Sequence, residues 1–171
     1  MLESIRSIGR RLGIVPPETD NRLAGILLRP EILLVHAYSK TTAGVHLVDE
    51  PVLRLNPSAD PNEVGAAIRQ VLAAYRTGVP HPKQNEWAES GKPFLAAAGF
   101  RSWRSLEAGA KSCHVTQKPD GSFSFSIFRN GGTRGEKKGF QPFGVPDRPL
   151  KAGPSDTELG LALREALQLC E

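Results

Sequence analysis

Two stretches of the chain begin and run a helix in the same way. Aligning Glu63 with Glu158 gives a shared pattern, Glu-[Val/Leu]-Gly-x-Ala-[Ile/Leu]-Arg-[Gln/Glu]-x-Leu, within "PSADPNEVGAAIRQVLAAY" and "PSDTELGLALREALQLCE". Each copy carries its own initiation chemistry. Asp60 is placed to cap the free N–H groups ahead of Pro61, with Glu63 at the capping-box position, and Ser155 with Glu158 forms a second Ser-x-x-Glu box. Val64, Ile68, Val71, Leu72 and Tyr75 make the buried stripe of the first helix; Leu159, Leu163, Ala166, Leu167 and Cys170 make that of the second. Leu161 and Leu169 lie off this stripe, which predicts that the terminal helix is the more deeply covered. Gly65 and Gly160 occupy matching positions, and a glycine inside a helix costs about 1 kcal/mol relative to alanine. A compensating close approach is implied, with helix against sheet as the expected form.

Strand patterns precede each helix. Between Ile32 and Asn56 the runs "ILLVHAYS", "GVHLVDE" and "PVLRLN" are short, branched and divided by turn formers, as neighbouring antiparallel strands are. Later, Cys113, Val115 and Gln117 alternate with Ser112, His114 and Thr116. Lys118-Pro119-Asp120-Gly121 forms a turn, and Phe123, Phe125 and Ile127 alternate with serines, the pattern of a half-buried hairpin arm. "FQPFGV" is read as a third, edge strand after the glycine-rich "RNGGTRGEKKG". The fold class expected is therefore α+β, antiparallel sheet packed with helices, in a pseudo-two-fold repeat of three strands plus a helix. An irregular insert from residue 79 onward separates the copies, with short helical turns around Phe94, Leu95, Phe100, Trp103 and Leu106. The length, 171 residues, suits one domain, residues 1–171. Within it, residues 1–14 are read as a short amphipathic N-terminal helix (Leu2, Ile5, Ile8, Leu12) and 15–21 as a linker.

Composition narrows the job. The greasiest stretch, Ile26 to Tyr38, is cut by Arg29, Pro30 and Glu31 and is too short for a membrane span. The N-terminus lacks a secretory pattern, and two distant cysteines suit a reducing compartment, so cytoplasmic residence is expected. The net charge of +4 permits an acidic partner without demanding one.

Catalytic signatures are sparse, and the chain is not expected to be an enzyme or to carry a metal or cofactor. Cys113 and His114 are adjacent in a strand and point to opposite faces, so they cannot pair. His36 and His46, on neighbouring strands, lack an acidic or thiol companion, and His81 between prolines suits a turn. The glycine-rich run fails the phosphate-loop pattern because Glu136 stands where lysine is required. It is instead a hairpin loop, a basic finger carrying Arg134, Lys137 and Lys138. With Glu86 and Trp87 in the insert, these residues are the candidate partner contacts. A single-stranded nucleic-acid binder is the alternative, with Trp87, Trp103 and Tyr38 as stacking platforms.

"YSKTTAG" after an apolar strand, the capped Glu-Val-Gly helix, "VPHP", "AKSCHV", a glycine-bearing loop into "GFQP", and "SDTELGLALREAL" follow one another in order. In these marks the chain resembles the immunity proteins of bacterial contact-dependent growth inhibition systems, over residues 32–170. The resemblance implies a cytoplasmic inhibitor that binds the toxic C-terminal domain of a CdiA-type effector, often a nuclease, and needs no catalysis. Inhibitors of basic nucleases are often acidic, whereas this chain is basic.

Overall fold

The computed structural model describes residues 20–171. The expected N-terminal helix, and the linker up to residue 19, lie outside the described residues. Strand β1 (Arg22–Arg29) turns through Pro30 and Glu31 into β2 (Ile32–Thr41), with Arg29 paired to Ile32. Then follow β3 (His46–Leu55), helix α1 (Pro61–Ala73), β4 (Arg76–Val79) and three short helices, α2 (Trp87–Ser90), α3 (Lys92–Ala98) and α4 (Trp103–Glu107). Beyond them lie β5 (Lys111–Gln117), β6 (Phe123–Ile127), β7 (Arg129–Asn130), β8 (Phe140–Gln141), β9 (Arg148–Leu150) and α5 (Asp156–Leu169).

Six strands form an antiparallel path in the order β3-β2-β1-β5-β6-β9. Reading outward from the β1–β5 seam, each half repeats first, second and third strand, and each half ends in its long helix. The expected two copies of three strands plus a helix are present, but two strand assignments change. β1 is an additional strand, whose signal is the apolar run that Pro30-Glu31 interrupts. "GVHLVDE" and "PVLRLN" belong to one strand, β3, with a bulge opposite His36 and Ala37 that leaves Glu50 and Pro51 outside the register. In the second half the outer strand is β9, not "FQPFGV": Phe140 and Gln141 pair with Arg129 and Asn130 in a separate two-stranded finger. Arg76-Thr77-Gly78 does more than end α1. It opens β4, which runs parallel to the end of β2 on the side that β1 leaves open.

Alternation divides the sheet into two faces. Ala24, Ile26, Leu33, Val35, Ala37, Cys113, Val115, Phe123, Phe125 and Ile127 meet the buried stripes of α1 and α5 in one cluster. Both stripes are buried as their spacing requires. The hairpin between β5 and β6 closes as its residues dictate: Gly121 adopts φ 81°, and Asp120 accepts hydrogen bonds from the Ser122 amide (2.8 Å) and hydroxyl (2.6 Å). On the opposite face, Leu27, Ile32 and Leu34 pack under Phe94, Leu95, Ala98 and Leu106 of the insert.

The close approach at the paired glycines is helix to helix rather than helix to sheet. A Cβ on Gly65 would sit 1.8 Å from the Asp156 carbonyl oxygen, and one on Gly160 would sit 1.9 Å from that of Pro61. The two contacts are reciprocal, because Pro61 and Asp156 hold equivalent places at the starts of their helices. The arginines of the repeat are reciprocal too. Arg69 donates to the Pro154 carbonyl and to Asp156 (Nε to Oδ1, 2.5 Å), while Arg164 donates to the carbonyls of Ala59 and Pro57. Each arginine thus ties down the segment leading into the other helix. Ser155 and Glu158 close a full capping box. Asp60 instead caps through the Asn62 amide (2.8 Å) alone, and Glu63 does not complete the box. Leu161 and Leu169 are exposed (47% and 37%), so α5 is not covered more deeply than its stripe requires.

At an exposed helical site, Gly→Ala adds about 1 kcal/mol of stability. Here the added methyl meets a backbone carbonyl that cannot rotate away. Gly65→Ala and Gly160→Ala should each lower the unfolding free energy by about 2 kcal/mol in urea titration; a stabilised variant would contradict the backbone contact.

Candidate functional site

Two sheet arginines hold the insert in place. The last carbonyls of a helix lack intrahelical donors and carry partial negative charge, so a cation there satisfies both. Arg29 Nη1 donates to the carbonyls of Ser105 (3.0 Å), Leu106 (3.1 Å) and Ala108 (2.6 Å) at the end of α4, and its guanidinium lies over the Phe100 ring. Arg54 Nη1 donates to the Ala98 carbonyl (2.9 Å) at the end of α3.

Under the insert, Gly25 on β1 pairs with His36 on β2 and with His114 on β5. The glycine is required because a Cβ there would lie 2.1 Å from His36 Nε2. His36 Nδ1 bonds the Ala37 carbonyl (3.0 Å), and His114 Nε2 bonds the Tyr38 hydroxyl (3.2 Å). Burial pushes the His36 pKa down to about 4; the Ala37 carbonyl opposes the shift and His114 adds to it. Burial likewise pushes His114 down to about 4 and raises the Tyr38 phenol to about 12. A cavity of about 170 Å³ opens beside this pair, bounded by Gly25, His36, Val48, Trp103, Glu107 and Phe140 among others. Trp103 stacks on Phe94 at 5.2 Å and leaves its other side partly exposed. Burial raises the Glu107 carboxyl above the usual range, and Lys138 opposes that rise.

The basic finger is anchored at the rim of this cavity. Asn130 Nδ2 donates to the carbonyls of Glu107 (2.8 Å) and Ala110 (2.7 Å), and Arg129 pairs with Glu171 (2.7 Å). Within the finger, the Gly131 amide bonds the Gly139 carbonyl and the Gly139 amide bonds that of Gly132, both at 2.8 Å. Arg134, Lys137 and Lys138 are exposed on this folded loop. Glu86 and Trp87 are exposed as well, but the structure places them elsewhere. Trp87 packs against His81, whose Nδ1 meets the Thr41 hydroxyl (3.2 Å) at the far end of β2. The finger root lies beside the start of β5, level with Leu33, so about 25 Å of strand separates the two groups.

The remaining sequence candidates have structural places. Cys113 is buried in the core and burial pushes its thiol far up, whereas His114 faces the cavity, as alternation requires. His36 does not meet His46 across the sheet; Tyr38 lies between them, and the histidine brought to His36 is His114. His46 hydrogen-bonds Tyr75 (3.0 Å). Tyr38 is no stacking platform, since its hydroxyl is engaged by His114 and its ring lies on the covered face. The cavity escapes sequence reasoning because sheet order assembles it; the one local signal is Gly25, small within a strand. Among the described residues, no helix is long and apolar enough to cross a membrane.

A family profile described as "CDI immunity protein" matches residues 22–170. The structure is similar to that of a protein of unknown function from Neisseria meningitidis, with TM-score 0.71 and 19% identity over 90% of this chain and 98% of that one. It is similar also to a toxin and immunity complex, CdiA-CT/CdiI, from Yersinia pseudotuberculosis, with TM-score 0.71 and 17% identity over 89% of this chain and 98% of that one. At these identities the structural likeness establishes a shared fold. No curated protein matches the chain.

His36 and His114 are held neutral, so between their ordinary pKa of 6.5 and about 4 the unfolded chain binds protons that the folded chain does not. Their contribution is fully present above pH 6.5 and falls as pH drops toward 4, by on the order of 3 kcal/mol for each histidine. In urea titrations across this window, His36→Phe should flatten the slope of stability against pH; a slope parallel to that of the unaltered protein would contradict neutral burial.

Proposed function

The chain belongs to the CDI immunity protein family, and we propose that it protects the cell that makes it by binding the C-terminal toxin domain of a cognate contact-dependent growth inhibition effector. The observation that carries this reading is the family match, which runs from the first residue of β1 to the residue after α5. The immunity protein of the Yersinia complex has the same fold and is paired with its toxin in that structure. Inhibition of this kind works by stoichiometric cover of the toxin, inside the cell it enters, and asks no chemistry of the inhibitor. An interface gains most of its affinity from a few anchors and its association rate from complementary charge.

Arg134, Lys137 and Lys138 project from the finger with a single acid, Glu136, among them. They are the proposed steering contacts, and they suit an acidic surface on the toxin. Glu86 and Trp87 are proposed as a second, more distant contact at the other end of the sheet. The net charge of +4 fits the same complementarity.

Co-expression with the toxin domain should restore growth, and the two proteins should co-purify one to one. Failure of both would sink this reading. Reversing Arg134, Lys137 and Lys138 to glutamate should slow association about tenfold at low salt and flatten its salt dependence, measured by stopped-flow or surface binding; an unchanged rate would remove the finger from the interface.

A further inference from the structure

The cavity beside His36 and His114 has the size and chemistry of a receptor for one aromatic ring. Its volume, about 170 Å³, is close to that of an engineered protein cavity that accepts benzene. Its walls include Phe94, Trp103, Phe128 and Phe140, which offer faces and edges to a further ring. One polar group in it has no partner. His36 is 2% exposed, and its Nδ1 is occupied by the Ala37 carbonyl, which makes Nδ1 the protonated nitrogen and Nε2 an acceptor. Among the described residues, no group hydrogen-bonds Nε2, the ring nitrogen closest to Gly25, yet as a wall of the cavity it is reachable from it. A buried acceptor left open favours a ligand that brings an N–H or O–H donor.

The surroundings select the source of that ring. Trp103 at the cavity is flanked by exposed Arg101 and Arg104, and the finger adds Arg134, Lys137 and Lys138, against Glu107 and Glu136. A neutral metabolite would make no use of this cationic border, whereas an acidic protein segment would. The geometry points to an anchor site: a tyrosine or tryptophan side chain, carried on an acidic segment of the cognate toxin domain, inserts between insert and finger and donates to His36 Nε2. This inference rests on the immunity reading above and adds to it the residue type recognised and the place where it enters.

The test compares toxin binding by the unaltered protein with that of two variants, each checked for folding by thermal melting. Val48→Trp fills the cavity from the β3 side and should weaken the complex about 30-fold or more, as loss of a central aromatic anchor does. His36→Phe keeps a ring in place but removes the acceptor, and should weaken it about tenfold. As a direct probe, 4-methylphenol should shift the amide resonances of Gly25, Val48 and Ser112 at lower concentration than toluene, and only toluene's effect should survive His36→Phe unchanged. If the unaltered protein binds toxin and both variants bind equally well, the anchor site is overturned and the immunity function stands. The anchor site is overturned equally if neither small molecule shifts these resonances. If the unaltered protein does not bind the toxin domain, the immunity reading falls and the anchor site with it.

Discussion

Two backbone-to-backbone contacts, Gly65 on Asp156 and Gly160 on Pro61, set the distance at which α1 and α5 cross, and the rest of the fold is built to that distance. Side chains at either position would hold the helices apart. With the helices this close, Arg69 and Arg164 reach across to the carbonyls of Pro154 and Ala59, so the crossing is fastened by charged donors on both sides. The two helices then lie side by side on one face of the sheet and share one core. Phe123 and Phe125 from the second half and Ile26 and Val35 from the first are buried in the same cluster. The cost of a helical glycine, incurred twice, is offset by this shared burial.

The other face breaks the symmetry. Over β1, β2 and β3 the insert supplies a second apolar layer, held by Arg29 and Arg54 at the ends of its helices. Over β5 and β6 the sequence offers Ser124, Ser126 and Thr116 instead, and only the finger root reaches across, through Phe140 and Asn130. The cavity lies where these two coverings meet. Its polar lining, His36, His114 and Glu107, is tolerated because the histidines stay neutral and each has a hydrogen bond. The apolar layer over one half and the open, charged border of the other therefore give the molecule one well-packed side and one side suited to recognition.

Signals that act locally are legible in the sequence, and signals that depend on the sheet are not. The caps at Asp60 and Ser155, both helical stripes and the Phe/Ser alternation of β6 are written within a few residues of where they act, so spacing alone exposes them. The family resemblance rests on the same local marks. β1 is hard to see because Gly25 thins its pattern, and β4 because four residues, Arg76 to Val79, hold no periodicity. The two helical glycines reveal a cost but not their partner, since Gly65 meets a residue more than ninety positions away. Likewise Gly25 gathers His36 and His114 only once β1 lies between β2 and β5. The finger lysines are legible as a charged loop, whereas their attachment to α4 through Asn130 is not.

The order β3-β2-β1-β5-β6-β9 also shapes how the chain can assemble. Within each half, pairing partners are neighbours in sequence, and the β1–β2 hairpin closes over only two residues. The entropy of loop closure is small for such contacts. Long-range closure is concentrated in two places, the β1–β5 seam and the helix crossing, and both join the same two halves. The halves are thus separate meanders whose docking is the single step of high entropic cost, and the glycine pair that sets the finished spacing is also where that docking is completed.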